Sequence, residues 1–209
     1  KIKIYKKIKI LNGKNDKISL LKNSSKILLK FSKELKKLSP NLIILLGDRY
    51  EIFCVAYCAF ILGIPIGHFY GGEVTENSLD DSLRHSITKL SHLHFPSTKK
   101  SFERLIKLGE DKNRVFLTGC PAMDLVYKTD KKITSKFAKK YRGVGFKVDF
   151  KKPYVTVLQH PNTLEYGKGL SQINETLTAM LRIDFQTVWL WPNIDAGSNE
   201  ISKGLRIFR

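Results

Sequence analysis

The sequence predicts an α/β protein whose sheets are parallel and doubly wound. The first observation is LIILL (42–46), a short continuous apolar run typical of a strand buried on both faces. The second is the apolar stretch 50–62, which has the length of a helix, and the third is IPIGHFY (64–70), which indicates another strand. This succession is a β-α-β unit, so its strands should be parallel and connected by a right-handed crossover.

The alternation of helices and strands continues along the chain. SLRHSITKL (82–90) places its apolar residues on one face of a helix, and HLHFPS (92–97) contains a short strand. KKSFERLIKLG (99–109) predicts a helix that ends at its glycine, and RVFLTG (114–119) predicts a further strand. These elements extend the first unit into a Rossmann-like half.

A second strand-to-loop unit begins after residue 152. YVTVLQHP (154–161) predicts a strand followed by a loop, and LSQINETLTAML (170–181) predicts a helix. TVWLW (187–191) predicts the next strand, after which PNIDAGSNEISKGL (192–205) forms a loop that enters a helix. The pattern therefore predicts a second Rossmann-like half.

The chain is predicted to divide into two domains, residues 1–128 and residues 153–209. Between them, residues 129–152 are rich in lysine and only weakly periodic, which favours an interdomain segment. The chain begins with lysine and stops within a helical pattern. We therefore expect a fragment in which both domains are incomplete.

Composition argues against a membrane or secreted protein. No apolar run approaches the roughly 18 residues that a membrane span requires, and the first ten residues lack the apolar core of a signal peptide. The chain has three cysteines, and Cys54 and Cys58 lie in the apolar stretch predicted to be a helix. We expect buried, reduced thiols and a cytoplasmic protein.

The charge of the chain is concentrated at its start. The formal net charge is +18, and residues 1–40 contain thirteen lysines against Asp16 and Glu34. Such a patch can attract nucleic acid or another polyanion. No arginine-rich or aromatic surface is interleaved with the lysines, so we favour solvated side chains and expect no nucleic-acid partner.

Polar residues follow the predicted strands at the edge where open parallel sheets bind ligands. Asp48 and Arg49 come directly after the first strand. The carboxylate could act as a base or orient a sugar hydroxyl, and the guanidinium could bind a phosphate. A local ion pair at the strand end explains the two residues equally well.

Four carboxylates lie close together after the second strand, at residues 73–81. Gly71 and Gly72 allow a positive φ or a close approach of backbone to ligand, and Glu73 follows them. Ser78 fits the N-cap of the next helix, with Asp80 in its first turn. A solvated turn and a well-capped helix explain this cluster without excluding that one carboxylate faces a ligand.

The histidines and standard motifs give weaker signals. His92 and His94 form an H-x-H pair, but no third ligand is suitably spaced, so a metal site is disfavoured. His85 is interpreted as structural, whereas His160, at a strand end, is a candidate for ligand contact. The chain carries no P-loop, no complete dinucleotide fingerprint and no serine-hydrolase elbow.

Five segments together resemble the hydrolysing UDP-N-acetylglucosamine 2-epimerase family, which feeds the synthesis of sialic and related nonulosonic acids. The resemblance extends from about residue 42 to the end of the chain and is most specific in residues 47–124. The segments are LLGDRYE, IPIGHFYGGEVTENSLDDSLRHSITKLSHLHF, LGEDKNRVFLTGCPAMD, LQHPNT and WPNIDAGSNEISKGLRIFR.

The resemblance implies a fold and a reaction. Members of the family have two Rossmann-like domains with the active site in the cleft between them, as in GT-B glycosyltransferases, and a homo-oligomer is expected. They convert UDP-N-acetylglucosamine (UDP-GlcNAc) and water to N-acetylmannosamine and UDP without a metal or nicotinamide cofactor. The route removes the C2 proton and expels UDP to give a 2-acetamidoglucal, to which water then adds. A positioned base and acid are needed for both steps.

The resemblance also implies roles for residues of the first domain. Asp48 matches the acidic residue of the G-D-R motif, with Arg49 directed toward the nucleotide. Asp80 matches the first aspartate of the I-D-D/E motif, to which the family assigns acid/base work. Gly71 and Gly72 match the glycine pair at the substrate.

In the second domain, the resemblance implies contacts with the nucleotide sugar. His160 matches the histidine of Q-H-P, at the sugar or phosphate, and is a candidate both for catalysis and for substrate binding. Asn193 matches the asparagine of P-N-x-D-A-G, at the nucleotide, and Ser198, directly after this motif, is a further binding candidate.

One position departs from the pattern. Part of the family carries a catalytic glutamate immediately before the two glycines, where this chain has Tyr70. Three alternatives follow: Glu73 replaces that glutamate, Tyr70 serves as the proton donor, or this subgroup differs in substrate or route.

Several other functions remain open at the level of sequence. A non-hydrolysing epimerase would return UDP-N-acetylmannosamine, and a related hydrolysing enzyme would use a GDP-sugar. A catalytically inactive nucleotide-sugar binding module, with Tyr70 as the trace of lost catalysis, is the alternative from another class.

Overall fold

The computed structural model describes residues 3–10, 16–76, 78–130, 132–141, 143–162, 164–193, 195 and 197–208. The chain forms two compact units, residues 1–125 and residues 126–209. Both are α/β, with parallel strands, as the sequence predicts. Among the described residues, no helix combines the length and apolarity needed to span a membrane.

A three-stranded parallel sheet organises the first unit. Its strands lie in the order β1-β2-β3, with Ile43 opposite Ile66 and Gly67 opposite Leu93. The predicted β-α-β unit is therefore confirmed, and all three carboxyl ends lie at one edge of the sheet. The strands are β1 (Ile43–Leu46), β2 (Ile66–Phe69) and β3 (Leu93–Phe95).

In the part of the chain that the structure describes, five helices accompany this sheet, and the last of them extends beyond Leu125 into the second unit. The first of them occupies the lysine-rich segment, for which the sequence pattern gave no helix; Asp16 caps it by accepting a hydrogen bond from the Ser19 amide. Its buried face packs against the next helix, while its lysines face solvent. The helices are α1 (Lys17–Leu38), α2 (Tyr50–Ile61), α3 (Leu79–Leu90), α4 (Lys99–Lys107) and α5 (Pro121–Lys128).

The core of the first unit lies between the sheet and helices α1, α2 and α3. Complete burial of an Ile or Leu side chain contributes about 2 kcal/mol relative to exposure, so this cluster is a large part of the driving force for folding. Cys54 and Cys58 are buried free thiols within it, as expected. The buried residues are Ile27, Leu35, Leu45, Cys54, Val55, Ala56, Cys58, Ala59, Ile64, Ile66 and Ile87.

The strand expected at 114–119 is wrong. A short 3₁₀ turn (Lys112–Arg114) leads into Val115, which makes an isolated parallel bridge with His94, and the Phe116 amide donates to the His94 carbonyl at 2.8 Å. The ladder stops because Pro96, directly after β3, has no amide hydrogen to continue it. Phe116 instead stacks on Phe95, with ring centroids 5.9 Å apart.

The second unit is built on two parallel strands. Tyr154 lies opposite Gln186 and Leu158 opposite Leu190. A small core of Ile173, Leu177 and Ile201 lies between two helices of this unit. The elements are β4 (Tyr154–Leu158), β5 (Gln186–Leu190), α6 (Ser135–Lys140), α7 (Gly169–Met180) and α8 (Ser198–Phe208).

The predicted interdomain segment 129–152 contains the short helix α6, which Thr134 caps by accepting a hydrogen bond from the Phe137 amide. The role of this segment as a connection between domains stays a prediction.

Candidate active site

Three loops leave the first sheet at its carboxyl edge, where parallel sheets bind ligands. The Gly47 amide donates to the Phe69 carbonyl at 3.4 Å, and the Tyr70 amide donates to the Phe95 carbonyl at 3.2 Å. These bonds prolong the strand pairing into the loops. Asp48 and the segment 70–73 are thereby brought to adjacent positions on one edge.

The two glycines after β2 form a turn that only glycine can make. Gly72 has φ +79°, and a Cβ placed there would lie 2.3 Å from the Ser101 carbonyl oxygen of α4. A Cβ on Gly71 would lie 3.1 Å from both His68 Nδ1 and Thr88 Oγ1. Close packing against α3 and α4 therefore accounts for the glycine pair, and its predicted contact with substrate stays a prediction.

Arg84 of α3 connects the loops around this turn. Its side chain is 5% exposed, and it donates five hydrogen bonds, the full number that a guanidinium has. Nε donates to Asp48 Oδ2 at 2.9 Å, and Nη2 donates to the same oxygen and to Thr75 Oγ1. Nη1 donates to Asp81 Oδ1 at 2.9 Å and to the Glu73 carbonyl at 3.0 Å. One buried cation thus fixes two carboxylates and the loop that follows the glycines.

The expected helix cap is confirmed at Ser78. Its Oγ accepts a hydrogen bond from the Asp80 amide at 3.2 Å, which places two aspartates in the first turn of α3. Asp81 is engaged structurally, because its Oδ1 accepts from the Thr75 amide at 2.7 Å as well as from Arg84. Asp80 is half-buried at the same end of the helix.

Glu73 and Arg49 have partners of their own. Ser97, in the loop after β3, donates through Oγ to Glu73 Oε1. The Arg49 side chain is 39% exposed, and its Nε lies 3.3 Å from Glu51 Oε2. The guanidinium therefore stays accessible at the start of α2. Glu73 therefore bridges two of the three loops, whereas Arg49 borders them.

Tyr70 has an unusual backbone and an unusual partner. Its φ of +66° lies in the left-handed region, which a bulky side chain rarely adopts. Its hydroxyl lies 3.4 Å from Cys120 Sγ, within hydrogen-bonding distance for sulfur. The hydrogen bond from Tyr70 lowers the pKa of Cys120, and the same contact raises the pKa of Tyr70.

A buried histidine supports the loop that carries Asp48. His68 Nε2 lies 2.9 Å from the Gly47 carbonyl oxygen and Nδ1 lies 3.4 Å from Thr88 Oγ1. Burial lowers the pKa of His68 to about 4, so the ring is neutral near pH 7. Because a carbonyl only accepts, Nε2 carries the hydrogen, and Nδ1 accepts from the threonine.

The remaining histidines of the first unit contact residues of the same unit. His92 Nδ1 accepts a hydrogen bond from the Ile66 amide at 3.3 Å, and His94 lies 3.1 Å from Glu110 Oε2. His85 lies 3.6 Å from Asp81 Oδ2. In the part of the chain that the structure describes, no group of three or more His, Cys, Asp or Glu residues is arranged to hold a metal ion.

The second unit has its own polar edge, formed by the loops after β4 and β5. The Asn193 amide donates to His160 Nδ1 at 3.3 Å, and Asp195 Oδ2 lies 3.9 Å from the same nitrogen. His160 is 37% exposed. Gly197, with φ +89°, packs against Pro161, since a Cβ there would lie 3.3 Å from the proline Cβ.

Ser198 begins α8 beside this edge. Its amide donates to the Asp195 carbonyl at 3.0 Å, and the residue is buried. A helix N-terminus carries partial positive charge and suits anionic groups. His160, Asn193 and Ser198 therefore lie close together in the second unit, in loops that follow adjacent parallel strands.

Sequence reasoning missed three residues of the first unit, Arg84, His68 and Cys120. Arg84 could have been found, because it shares the helical spacing of the buried Ile87 and Thr88, and a cation on a core-facing position requires acidic partners. His68 and Cys120 carry no comparable signal, since their partners Gly47 and Tyr70 are distant in the sequence.

The chemical capacity of the first unit is that of acid/base catalysis. Asp48, Glu73 and Asp80 supply carboxylates from three neighbouring segments, and Tyr70 supplies a hydroxyl. Proton transfer requires such groups in fixed positions, and Arg84 fixes the segments that carry them.

Comparison with known sequences gives a family and its members. A sequence model of the UDP-N-acetylglucosamine 2-epimerase family matches residues 1–208. The chain is 38% identical over 175 residues to the Campylobacter jejuni GDP/UDP-N,N'-diacetylbacillosamine 2-epimerase (hydrolyzing), which covers 84% of this chain and 44% of that protein. It is 34% identical to the Legionella pneumophila UDP-N,N'-diacetylbacillosamine 2-epimerase (hydrolyzing), over 83% of this chain and 45% of that protein. The chain thus spans about half the length of these curated relatives.

Comparison with solved structures gives the fold. The crystal structure of the Neisseria meningitidis UDP-GlcNAc 2-epimerase bound to UDP-GlcNAc matches with a TM-score of 0.74 at 20% identity, over 95% of this chain and 55% of that one. A Methanocaldococcus jannaschii UDP-GlcNAc 2-epimerase, in complex with UDP-GlcNAc and UDP, matches with a TM-score of 0.67 at 19% identity, over 90% of this chain and 51% of that one. The predicted fold class, α/β with incomplete Rossmann-like domains as in GT-B-like proteins, is confirmed.

Proposed function

Because the chain belongs to the UDP-N-acetylglucosamine 2-epimerase family, we propose that the protein is a hydrolysing 2-epimerase of a UDP-linked 2-acetamido sugar. With UDP-GlcNAc the reaction consumes water and yields N-acetylmannosamine and UDP. The single observation that supports it most is the Arg84 network, which holds Asp48 and the Asp81 end of α3 around the Glu73 loop.

The reaction has two stages. A base removes the C2 proton while the C1–oxygen bond to UDP breaks, which leaves a 2-acetamidoglucal. Water then adds its hydroxyl to C1, and a proton returns to C2 on the opposite face. Each stage needs one group that accepts a proton and one that donates it, in fixed positions.

The residues of the first unit take these roles in our proposal. Asp80 is the principal acid/base group, because it lies at the carboxyl edge next to the fixed Asp81. Asp48 is held by two hydrogen bonds from Arg84 and serves the sugar side. Glu73 and Tyr70 are the further proton-transfer candidates, with Gly71 and Gly72 shaping the turn between them.

The second unit binds the nucleotide in this proposal. His160 contacts the sugar or the phosphate, Asn193 contacts the nucleotide, and Ser198 adds the positive end of α8. Arg49 is a further candidate for binding a phosphate of the substrate. The proximity of His160 and Asn193, joined by a 3.3 Å hydrogen bond, supports a common ligand.

A second candidate substrate is UDP-N,N'-diacetylbacillosamine. Two relatives at 38% and 34% identity carry this sugar in their names, whereas a Neisseria meningitidis UDP-N-acetylglucosamine 2-epimerase is 26% identical in the sequence alignment over 169 residues. The chemistry at C1 and C2 is the same for both sugars, so the choice depends on groups that contact the rest of the ring.

The decisive experiment uses the full-length protein with UDP-GlcNAc and, separately, UDP-N,N'-diacetylbacillosamine in deuterated water. Proton NMR should show a free 2-epimerised sugar, deuterated at C2, together with UDP. A UDP-linked epimer as the product would move the protein to the non-hydrolysing branch. No turnover of UDP- or GDP-sugars would favour an inactive binding module.

The proposal has two further parts. We expect the full-length protein to form a homo-oligomer and to act in the cytoplasm, in the synthesis of sialic or related nonulosonic acids. Size-exclusion chromatography with light scattering tests the oligomeric state. Accumulation of the UDP-sugar substrate after gene deletion tests the role in the synthesis of these acids.

A further inference from the structure

The contact between Tyr70 and Cys120 lies beside the proposed acid/base residues but is not explained by them. The two residues are 50 positions apart in the sequence, and the Tyr70 hydroxyl lies 3.4 Å from Cys120 Sγ. Tyr70 directly follows β2, one turn from Glu73, whose negative charge raises the pKa of both groups. The pair therefore lies at the carboxyl edge of the sheet.

The surroundings of Cys120 favour its thiolate. Sγ lies 3.4 Å from the Tyr70 hydroxyl, where either atom can donate, and this contact is the main cause that lowers the pKa of the thiol, with the backbone of Met123 and Ala122 at the start of α5 lowering it further. Cys54 and Cys58 are buried, and burial raises the pKa of both. Cys120 alone among the three cysteines of the chain is thus both partly exposed and acidified.

The backbone of Tyr70 supports a functional reason for the contact. A φ of +66° costs a bulky L-residue roughly 1–2 kcal/mol, and such strain concentrates at functional sites. Tyr70 nevertheless keeps this conformation, with its amide bonded to Phe95 and its hydroxyl at Cys120. A solvated tyrosine in an ordinary turn would need neither.

From this geometry we infer that Tyr70 and Cys120 form a proton relay for the return of the proton to C2, a role that rests on the proposed function. The Cys120 S–H bond breaks as its proton passes to the Tyr70 oxygen, while the original Tyr70 proton forms the new C2–H bond with the electrons of the glycal double bond. Water supplies the C1 hydroxyl and loses its second proton to a carboxylate. The resulting thiolate accepts the Tyr70 O–H and is reprotonated by solvent.

In this relay Tyr70 is the catalytic residue and Cys120 is a positioning residue that acts through it. The thiol provides a stronger acid than an isolated tyrosine, and the phenol carries the proton the remaining distance. Glu73 is the charged neighbour that faces both groups, so its ionisation opposes formation of the thiolate.

Kinetics of the full-length protein test the relay. Tyr70→Phe should lower kcat by about 100-fold or more and lead to release of the 2-acetamidoglucal, because elimination proceeds while protonation at C2 fails. Cys120→Ala should lower kcat by about tenfold, and Cys120→Ser should recover part of it with an altered pH profile. Tyr57→Phe, an exposed tyrosine of α2, is the matched control and should be unaffected.

A second measurement does not depend on activity. Alkylation by iodoacetamide, resolved by mass spectrometry, should modify Cys120 before Cys54 and Cys58, and Tyr70→Phe should move the pH midpoint of this reaction upward. An unchanged midpoint, or full activity without glycal release in Cys120→Ala, would overturn the relay. If the wild-type protein turns over no nucleotide sugar, the proposed function and the relay both fail, and the alkylation midpoint still decides whether the two side chains interact.

Discussion

The two units of the chain present polar groups at the carboxyl ends of parallel strands, but they hold them in different ways. In the first unit, a buried arginine with five hydrogen bonds and a buried neutral histidine fix the loops that carry the carboxylates. In the second unit, His160 is 37% exposed, accepts a hydrogen bond from the Asn193 amide and lies 3.9 Å from Asp195 Oδ2. The polar groups of the first unit are thus held rigidly, whereas His160 of the second unit is accessible to solvent.

The hydrophobic cores of the two units also differ, and the larger core belongs to the unit with the rigidly held side chains. Among the described residues, the first unit buries a cluster of eleven among one sheet and three helices, whereas the second buries Ile173, Leu177 and Ile201. Proton transfer loses rate steeply when a group moves by an ångström, while binding of a charged nucleotide tolerates adjustment. The difference is consistent with the proposal that the first unit performs the chemistry and the second holds the nucleotide.

Removal of Arg84 should give the largest loss of stability in the first unit. Arg84→Gln leaves Asp48 and Asp81 without their buried cation, and breaking such a pair costs about 3–5 kcal/mol in the free energy of unfolding. Urea denaturation of the full-length protein measures the change. Arg114→Gln is the control, since this side chain is 61% exposed and 3.9 Å from Asp111, and it should cost less than about 1 kcal/mol. Equal losses in the free energy of unfolding for the two variants would show that the Arg84 hydrogen bonds do not stabilise the first unit.

The glycine turn should be the next most sensitive feature. Gly72→Ala adds strain at φ +79° and a clash with the Ser101 carbonyl oxygen, together about 3 kcal/mol in the free energy of unfolding. Gly63→Ala is the matched control, because its φ is +67° but no atom lies within 4 Å of the added Cβ. It should cost about 1–2 kcal/mol, also by urea denaturation. A Gly72 variant as stable as the control would mean that α4 yields to the added methyl group.

Acid should weaken the first unit through His68. The pKa of His68 is about 4 in the folded protein, against 6.5 for the free side chain. Between these values the unfolded chain binds a proton that the folded chain refuses, so stability falls as the pH drops from 6.5 to 4, by at most about 3 kcal/mol.

His68→Gln tests this dependence, because its amide can still donate to Gly47 but does not titrate in that range. The slope of unfolding free energy against pH should become shallower in the variant. His94, whose pKa is also lowered by burial, remains and accounts for a residual slope. An unchanged slope would show that the pKa of His68 is the same in the folded and unfolded protein.

Replacement of His160 in the second unit should have the smallest effect. His160→Asn should weaken UDP binding by about tenfold, which is about 1.4 kcal/mol, with little change in kcat. Isothermal titration calorimetry and steady-state rates of the full-length protein measure the two quantities. Asn174→Ala, on the exposed side of α7, should change neither. A loss of kcat without a loss of affinity would place His160 in the chemistry instead.

Much of the fold could be predicted because its signals are local. The run 42–46 is continuously apolar since parallel strands are covered on both faces, and the Ser78 cap is readable from its own neighbours. The strand expected at 114–119 failed because pairing depends on the partner strand, which ends at Pro96. Helix α1 was missed because its lysines obscure a narrow apolar face.

The position of the candidate site could be predicted from the sequence, but the hydrogen bonds that join its residues could not. Strand ends marked Asp48, Glu73, Asp80 and His160 correctly as edge residues. The hydrogen bond from Arg84 to Asp48, 36 residues earlier, could not be predicted, because it depends on tertiary distances that no local sequence pattern contains. The roles of these residues stay proposals, and the variants above are chosen to separate them.

One substitution tests most directly whether the first unit performs the chemistry. In the full-length protein, Asp80→Asn should lower turnover by about 1,000-fold while the Kd for UDP, measured by calorimetry, changes by less than about twofold. Near-normal turnover would reduce Asp80 to a residue of the helix start. An equal loss of turnover and nucleotide affinity would contradict the division of work between the two units.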